Sequence, residues 1–235
     1  MTERPTDRYP HLDPEADYTA GSYKTLIWLL DQAHSDLNGR TTLDIGGGQS
    51  DITATLRARE ARALAIDPAY AFLDELEEAT TATLTPEGKT ETRSKFKQDQ
   101  AKNPGMYIPA VSTHLPFRAN TFDLVYSEQC ICPMISRDYQ ALKRSMLEVV
   151  RVLRVDGVAI IFPFDNHEEL AKGDKRGAQI QKENLEKVLK KLDVPFIDYW
   201  SYGIHVKVPG FMGTGPMGTR ILLTIHKVAK ASTTG

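Results

Sequence analysis

The sequence predicts an α/β protein: a doubly wound, mostly parallel sheet of seven strands with an antiparallel hairpin at one edge. Three observations lead there. Short apolar runs of strand length alternate with longer segments of helical periodicity. The first run, Leu43-Asp44-Ile45, passes through Gly46-Gly47-Gly48 into a segment, Gln49 to Arg59, that reads as a helix. The last two runs, Ile197 to Val208 and Thr219 to Val228, are joined only by residues 209–218, which hold four glycines and two prolines. No crossover helix fits in that connection, so these two strands must pair antiparallel.

The elements follow in order. Residues 1–20 are polar and contain three prolines, with Tyr9 and Tyr18 as aromatics. They read as a frayed tail or as an arm folding over a site. Ser22 to Leu37 places Leu26, Leu29, Leu30, Ala33 and Leu37 near helical spacing, and Asn38-Gly39 ends it. After the glycine segment come a second strand, Ala61 to Ile66, and an acidic helix, Ala69 to Leu84. A polar stretch from Thr85 to Gly105 is longer than the usual connection in such sheets, and reads as a lid or an ornament. Met106 to Val111 and Thr121 to Glu128 are the third and fourth strands.

Arg137 to Leu153 is the clearest amphipathic helix, with Tyr139, Leu142, Met146, Val149, Val150 and Leu153 on one face. Val155-Asp156-Gly157 reads as a turn into Val158 to Phe162, a fifth strand buried on both sides. Ile180 to Leu192 is a further helix. One domain spanning residues 1–235 accounts for these elements. Residues 1–40 would cover the site, 85–105 form an insertion, and 209–218 form a glycine-rich loop.

Composition narrows the function. The chain has 235 residues, 41% hydrophobic and 26% charged, enough for a substantial single core. Its net charge of −2 lacks the basic excess of a duplex nucleic-acid binder, so no nucleic-acid partner is expected. Two cysteines, Cys130 and Cys132, are too few for a disulfide framework or a four-cysteine zinc site. No apolar run reaches the roughly 18 residues of a membrane span, and the first residues lack the apolar core of a signal peptide. The expectation is a cytoplasmic protein without a membrane or a metal.

The glycine segment carries the chemistry. Without Cβ atoms it can adopt positive φ and lie against a ligand, while the following helix, capped by Ser50 or Asp51, points its N–H groups at the turn. A dinucleotide site favours G-x-G-x-x-G. Here Asp51 stands where the third glycine would be, and Asp44 ends the strand. Both acids are the wrong charge beside a pyrophosphate. They suit S-adenosylmethionine, which has no phosphate but carries a sulfonium and an ammonium. Asp67 ends the second strand about 20 residues on, where a carboxylate can accept ribose hydroxyls.

Four runs in order carry a resemblance: Leu43-Asp-Ile-Gly-Gly-Gly-Gln-Ser50, Ala65-Ile-Asp67-Pro68, Leu115-Pro-Phe117 with Phe122-Asp-Leu-Val125, and Glu148-Val-Val-Arg-Val-Leu-Arg-Val-Asp-Gly157. Over Leu43 to Phe162 the chain resembles class I S-adenosylmethionine-dependent methyltransferases, and within them the group with many small-molecule enzymes. The resemblance implies a Rossmann-like fold, S-adenosylmethionine as cofactor and a small organic acceptor. It also implies cofactor-binding roles. Asp44 would engage the methionine ammonium, and Gly46, Gly47, Gly48 and Ser50 would form the loop. Asp67 would hold the ribose. Ser112, Thr113 and His114, just before Leu115, would meet the adenine, and Ser127 and Glu128 would border the methyl group. Ser50 replaces the family's third glycine. Val111 stands where the family often has an adenine-binding aspartate, which shifts that task to backbone groups or to the Ser112 or Thr113 hydroxyl.

No catalytic residue is readable, because methyl transfer needs a general base only when the acceptor must lose a proton. His114 and Glu128 are the groups placed to serve as one. His205 and the apolar residues of the 209–218 loop are candidates for lining the acceptor site. Cys130 and Cys132 read as buried thiols. Two rival functions stand beside methyl transfer: a non-catalytic module that binds the cofactor or a related nucleoside, and an NAD(P)-dependent oxidoreductase.

Overall fold

A computed structural model describes residues 39–48, 50–58, 61–72, 94, 96–128, 130–131, 137–162, 175–191, 197–205 and 219–227. The expected N-terminal arm and helix, most of the acidic segment after Phe72, Cys132 and the 209–218 loop lie outside these residues. Seven strands form one sheet in the order β3-β2-β1-β4-β5-β7-β6. They are β1 Thr41–Ile45, β2 Arg62–Ile66, β3 Tyr107–Ile108, β4 Phe122–Glu128, β5 Leu153–Phe162, β6 Ile197–His205 and β7 Thr219–Lys227. The first five pair in parallel, whereas β7 runs antiparallel to both β5 and β6. The mostly parallel sheet and its antiparallel edge pair are as the sequence predicts. The strand order reverses at β1, with β2 on one side and β4 on the other, which opens a crevice beyond their carboxyl ends.

Among the described residues, these longer helical segments flank the sheet: α1 Ile52–Ala58, α2 at residues 96–102, α3 Tyr139–Val152 and α4 Lys175–Lys191. Alternation along the strands sends Leu43, Ile45, Val125, Ala159, Ile161, Leu223 and Ile225 to one face. There they pack on Leu142, Met146, Val149 and Val152 of α3 and on Leu185 and Val188 of α4. Asp138 caps α3, its Oδ1 accepting from Gln140 N at 2.8 Å and Ala141 N at 3.1 Å. The other end of α3 is closed by Lys227 of β7. Its Nζ donates to the carbonyls of Val150 and Leu153 at 2.9 and 2.6 Å, and to Asn120 Oδ1 at 2.7 Å.

Several elements differ from the sequence expectation, and α4 begins at Lys175 rather than at Ile180. β3 is two residues long because Pro109 has no N–H to continue the ladder. β5 begins at Leu153, directly after α3, and the expected turn at Val155-Asp156-Gly157 is folded into the strand. Between the pairs Phe122–Leu153 and Leu124–Val158 the register shifts, and Asp156 takes φ 62° to pass the irregularity. The acidic segment starts as a 3-10 turn, Pro68–Phe72, rather than an α-helix.

Part of the polar stretch before β3 has a defined place. Phe96 of α2 is buried with Ala65, Tyr70 and Tyr107. Asp99 accepts from Arg57 of α1 and from Tyr107 Oη at 2.7 Å, and the Arg57 guanidinium lies 4.9 Å from the Tyr107 ring centre. Burial raises the Asp99 carboxyl pKa, but the Arg57 and Tyr107 hydrogen bonds outweigh it and hold the group below its usual range. Residues 96–103 are therefore tied to the β2–β3 edge and to α1.

Candidate active site

The glycine turn is built by backbone bonds to the end of β2. Gly46 N and Gly47 N both donate to Ile66 O, at 2.8 and 3.2 Å, and Ser50 N donates to Gly47 O at 2.9 Å. Gly46 has φ 76° and Gly48 φ 48°, the left-handed region where a side chain is strained. Each glycine has a different neighbour. A Cβ on Gly46 would collide with the Cβ and Sγ of Cys130. One on Gly47 would lie 2.9 Å from Tyr70 Oη and 3.0 Å from Asp44 Oδ2. Among the described residues, one on Gly48 would meet nothing nearer than 4.0 Å. The first two glycines are closed in by the protein, and the third presents a face that no other described residue fills.

Three buried groups line the sheet behind the turn. Asp44 pairs in register with Ala65 of β2 and with Tyr126 of β4, and Glu128 follows Tyr126 on the same face. Asp44 is 2% exposed. Its Oδ2 accepts from Ser50 Oγ at 3.3 Å and Thr53 Oγ1 at 3.4 Å. Desolvation lifts its carboxyl to about 7, with the Asp67 charge adding to the rise and the two hydroxyls opposing it. Tyr126 is fully buried and donates its hydroxyl to Glu128 Oε2. Burial and then the Glu128 and Asp44 charges push the Tyr126 phenol well above its usual range, so it stays a donor.

Asp67 accepts from Gly48 N through Oδ2 at 3.1 Å, and Tyr70 Oη donates to Gly48 O at 2.9 Å. Tyr70 N in turn donates to Asp67 O at 3.1 Å, closing the turn that aims both side chains at one glycine. Cys130 closes the opposite side of the turn. Burial, with the Asp67 and Asp44 charges behind it, raises its thiol to about 12, which disfavours a thiolate. Among the described residues no three His, Cys, Asp or Glu side chains lie close enough to share a metal ion.

The loop before Leu115 is held by α3. Glu148 Oε2 accepts from Leu115 N at 2.7 Å, and Arg151 donates to Leu115 O at 2.9 Å, Phe117 O at 2.6 Å and the Glu148 carboxylate. The Leu115-Pro-Phe117 run and the Glu148-to-Arg151 run, far apart in sequence, form one clamp. Ser112 is buried, with its hydroxyl 2.9 Å from Ser145 Oγ of α3. Val111 and His114 are exposed, Thr113 half-buried, and His114 N donates to Val111 O at 3.1 Å. Ser127 faces the α3 side of the sheet and accepts from Ile131 N at 3.3 Å, so it shapes the exit from β4.

Asp44, Gly46, Gly47, Gly48, Ser50 and Asp67 are thus gathered at one crevice, with Glu128 behind them on the sheet. The Ser112 hydroxyl is turned into the protein, which leaves Thr113 as the hydroxyl candidate of that loop. Tyr70, Thr53, Tyr126 and the Cys130–Gly46 contact escaped sequence reasoning. The spacing of Tyr70, three residues after Asp67, is the one signal that could have found it, because i and i+3 side chains align in a 3-10 turn.

Residues 43–161, just over half of the chain, match the Methyltransferase domain family. The chain belongs to that family, the class I S-adenosylmethionine-dependent methyltransferases whose motifs it carries. Solved structures share the fold. Phosphoethanolamine N-methyltransferase 2 from Haemonchus contortus, bound to S-adenosyl-L-methionine, superposes with a TM-score of 0.55 at 16% identity, over 90% of this chain and 54% of that one. The PH0226 protein of Pyrococcus horikoshii gives 0.53 at 16% identity, over 94% and 98%. A SAM-dependent methyltransferase from Methanosarcina mazei gives 0.50 at 14% identity, over 86% and 98%. No curated protein matches the chain in sequence.

Proposed function

We propose that the protein binds S-adenosylmethionine at the glycine turn and transfers its methyl group to a small organic acceptor. The observation that carries this is a pair of carboxylates at one glycine turn: Asp44 stands beside Gly47, and Asp67 accepts from the N–H of the left-handed Gly48. Negative charge on both sides suits an ammonium and a sulfonium and opposes a pyrophosphate. The bound cofactor supplies an activated methyl group for in-line displacement by an acceptor lone pair.

The chain's own residues bind and orient. Asp44, in its ionised form, holds the ammonium. Asp67, kept in place by the Gly48 N–H, offers its carboxylate to the ribose hydroxyls. Thr113 and the backbone from Val111 to Leu115, braced by Glu148 and Arg151, receive the adenine. Glu128, fixed by Tyr126, borders the reacting methyl group. Catalysis then rests mainly on alignment. The residue 1–40, 85–105 and 209–218 segments are the proposed source of acceptor contacts.

Calorimetry with S-adenosylhomocysteine and with NAD tests the cofactor, and methyl-labelled cofactor with metabolite fractions tests transfer. Binding of the former and a labelled small product are expected. NAD binding without S-adenosylhomocysteine binding would overturn the proposal. Cofactor binding with no labelled product from any fraction would favour the non-catalytic module.

A further inference from the structure

We infer that Tyr70 is a positioning residue for the cofactor loop, and that through it the packing of residues 96–103 sets cofactor affinity. This rests on the assignment of the glycine turn as the S-adenosylmethionine site.

Among the described residues Gly48 is the loop glycine with an open face, and two side chains hold its peptide groups. Asp67 accepts its N–H and Tyr70 donates to its carbonyl. A left-handed glycine has many other conformations available, and each hydrogen bond removes some of them. Losing the Tyr70 bond would free the carbonyl end of Gly48 to rotate, and the ordering cost would then fall on ligand binding.

Tyr70 itself is held by its ring. Phe96 stacks on it with centroids 6.1 Å apart, and Tyr107 meets it edge-on at 5.4 Å. Phe96 and Tyr107 also meet edge-on at 5.1 Å. Phe96 is carried by α2, which Asp99 ties to Arg57 and Tyr107. A continuous set of contacts therefore runs from the polar stretch before β3, through one phenol, to the carbonyl of Gly48. The Tyr70 hydroxyl carries this cluster to the turn: it donates to Gly48 O and lies 2.9 Å from where a Cβ on Gly47 would stand.

The test uses the full chain and S-adenosylhomocysteine as the probe. Tyr70→Phe keeps the ring and removes only the hydroxyl. Its affinity is expected to fall about fivefold to tenfold, the scale of one lost hydrogen bond. Its thermal midpoint should stay close to wild type, and the carbonyl carbon resonance of Gly48 should move in the protein without ligand. Phe96→Leu, which loosens the ring cluster, should weaken binding with the hydroxyl still present. Asp67→Ala serves as the control for the site. If Asp67→Ala weakens binding while Tyr70→Phe leaves both affinity and the Gly48 resonance unchanged, the positioning role is overturned and the cofactor assignment stands. If wild type fails to bind S-adenosylhomocysteine, the assignment falls and the inference with it.

Discussion

Asp44 sets up a conflict between stability and binding that can be measured directly. The carboxyl is almost fully buried, and its two hydroxyl partners lie at the long end of hydrogen-bond range, 3.3 and 3.4 Å. Desolvation wins, and the group titrates at about 7 instead of 3.8. The folded state therefore holds this proton more tightly than the unfolded chain does. Its contribution to stability is fully present below pH about 4 and is lost as pH rises through about 7. The loss is bounded at about 4 kcal/mol, at about 1.4 kcal/mol per tenfold. An ammonium ligand needs the ionised form. Roughly nine-tenths of the protein has it at pH about 8 and one-tenth at pH about 6, so S-adenosylhomocysteine affinity should rise about tenfold between them.

Asp44→Asn removes the titration and keeps an oxygen for Ser50 and Thr53. The variant should melt higher than wild type at pH about 8. It should bind S-adenosylhomocysteine about tenfold to a hundredfold more weakly, with an affinity flat in pH. Calorimetry in two buffers of different ionisation enthalpy reads the proton released when wild type binds near pH 7. A wild-type affinity flat between pH about 6 and about 8, or an Asp44→Asn variant less stable than wild type at pH about 8, would refute the reasoning.

Three further outcomes follow from the site. Asp67→Ala should weaken S-adenosylhomocysteine binding by about 1–3 kcal/mol in calorimetry, because the proposed ribose acceptor and the Gly48 N–H partner are both lost. Gly46→Ala should destabilise the protein by roughly 3 kcal/mol or more in urea unfolding, since the new Cβ meets Cys130 and φ is 76°. Adding Cys130→Gly should recover the steric part and leave the backbone strain. Arg151→Ala should cost about 1–2 kcal/mol and raise amide exchange selectively over residues 111–118, whose carbonyls at Leu115 and Phe117 lose their donor.

Much of the fold was legible because the strands that build it are apolar and short and the glycines mark the turn. β1, β2, β4 and α3 fall within a residue or two of their expected limits, where periodicity and a cap such as Asp138 agree. The start of β5 is not legible because Asp156-Gly157 has the composition of a turn, and a bulge inside a strand uses the same residues. The acids of the site were legible from their place at strand ends. What supports them was not. Tyr126 looks like any strand aromatic until β1 sets Asp44 beside it, and Cys130 looks like a small core residue until Gly46 is folded against it. The same holds for Ser112, whose hydroxyl faces Ser145 only because α3 packs there. Such pairings belong to tertiary contacts, which spacing along the chain does not encode.

The place of β7 has a consequence for synthesis. β6 is made first, yet among the described residues its neighbour in the sheet is β7, which lies between it and β5. A nascent chain that ends after His205 has β5 without its outer neighbour and β6 with nothing to pair against. It also lacks Lys227, so the last carbonyls of α3 wait for a residue more than seventy positions away in sequence. The cofactor half of the molecule can assemble as it emerges from the ribosome, but the sheet closes only when the final strand slides in between two earlier ones. Folding on the ribosome should therefore show a late step that coincides with release of residues 219–227 from the exit tunnel.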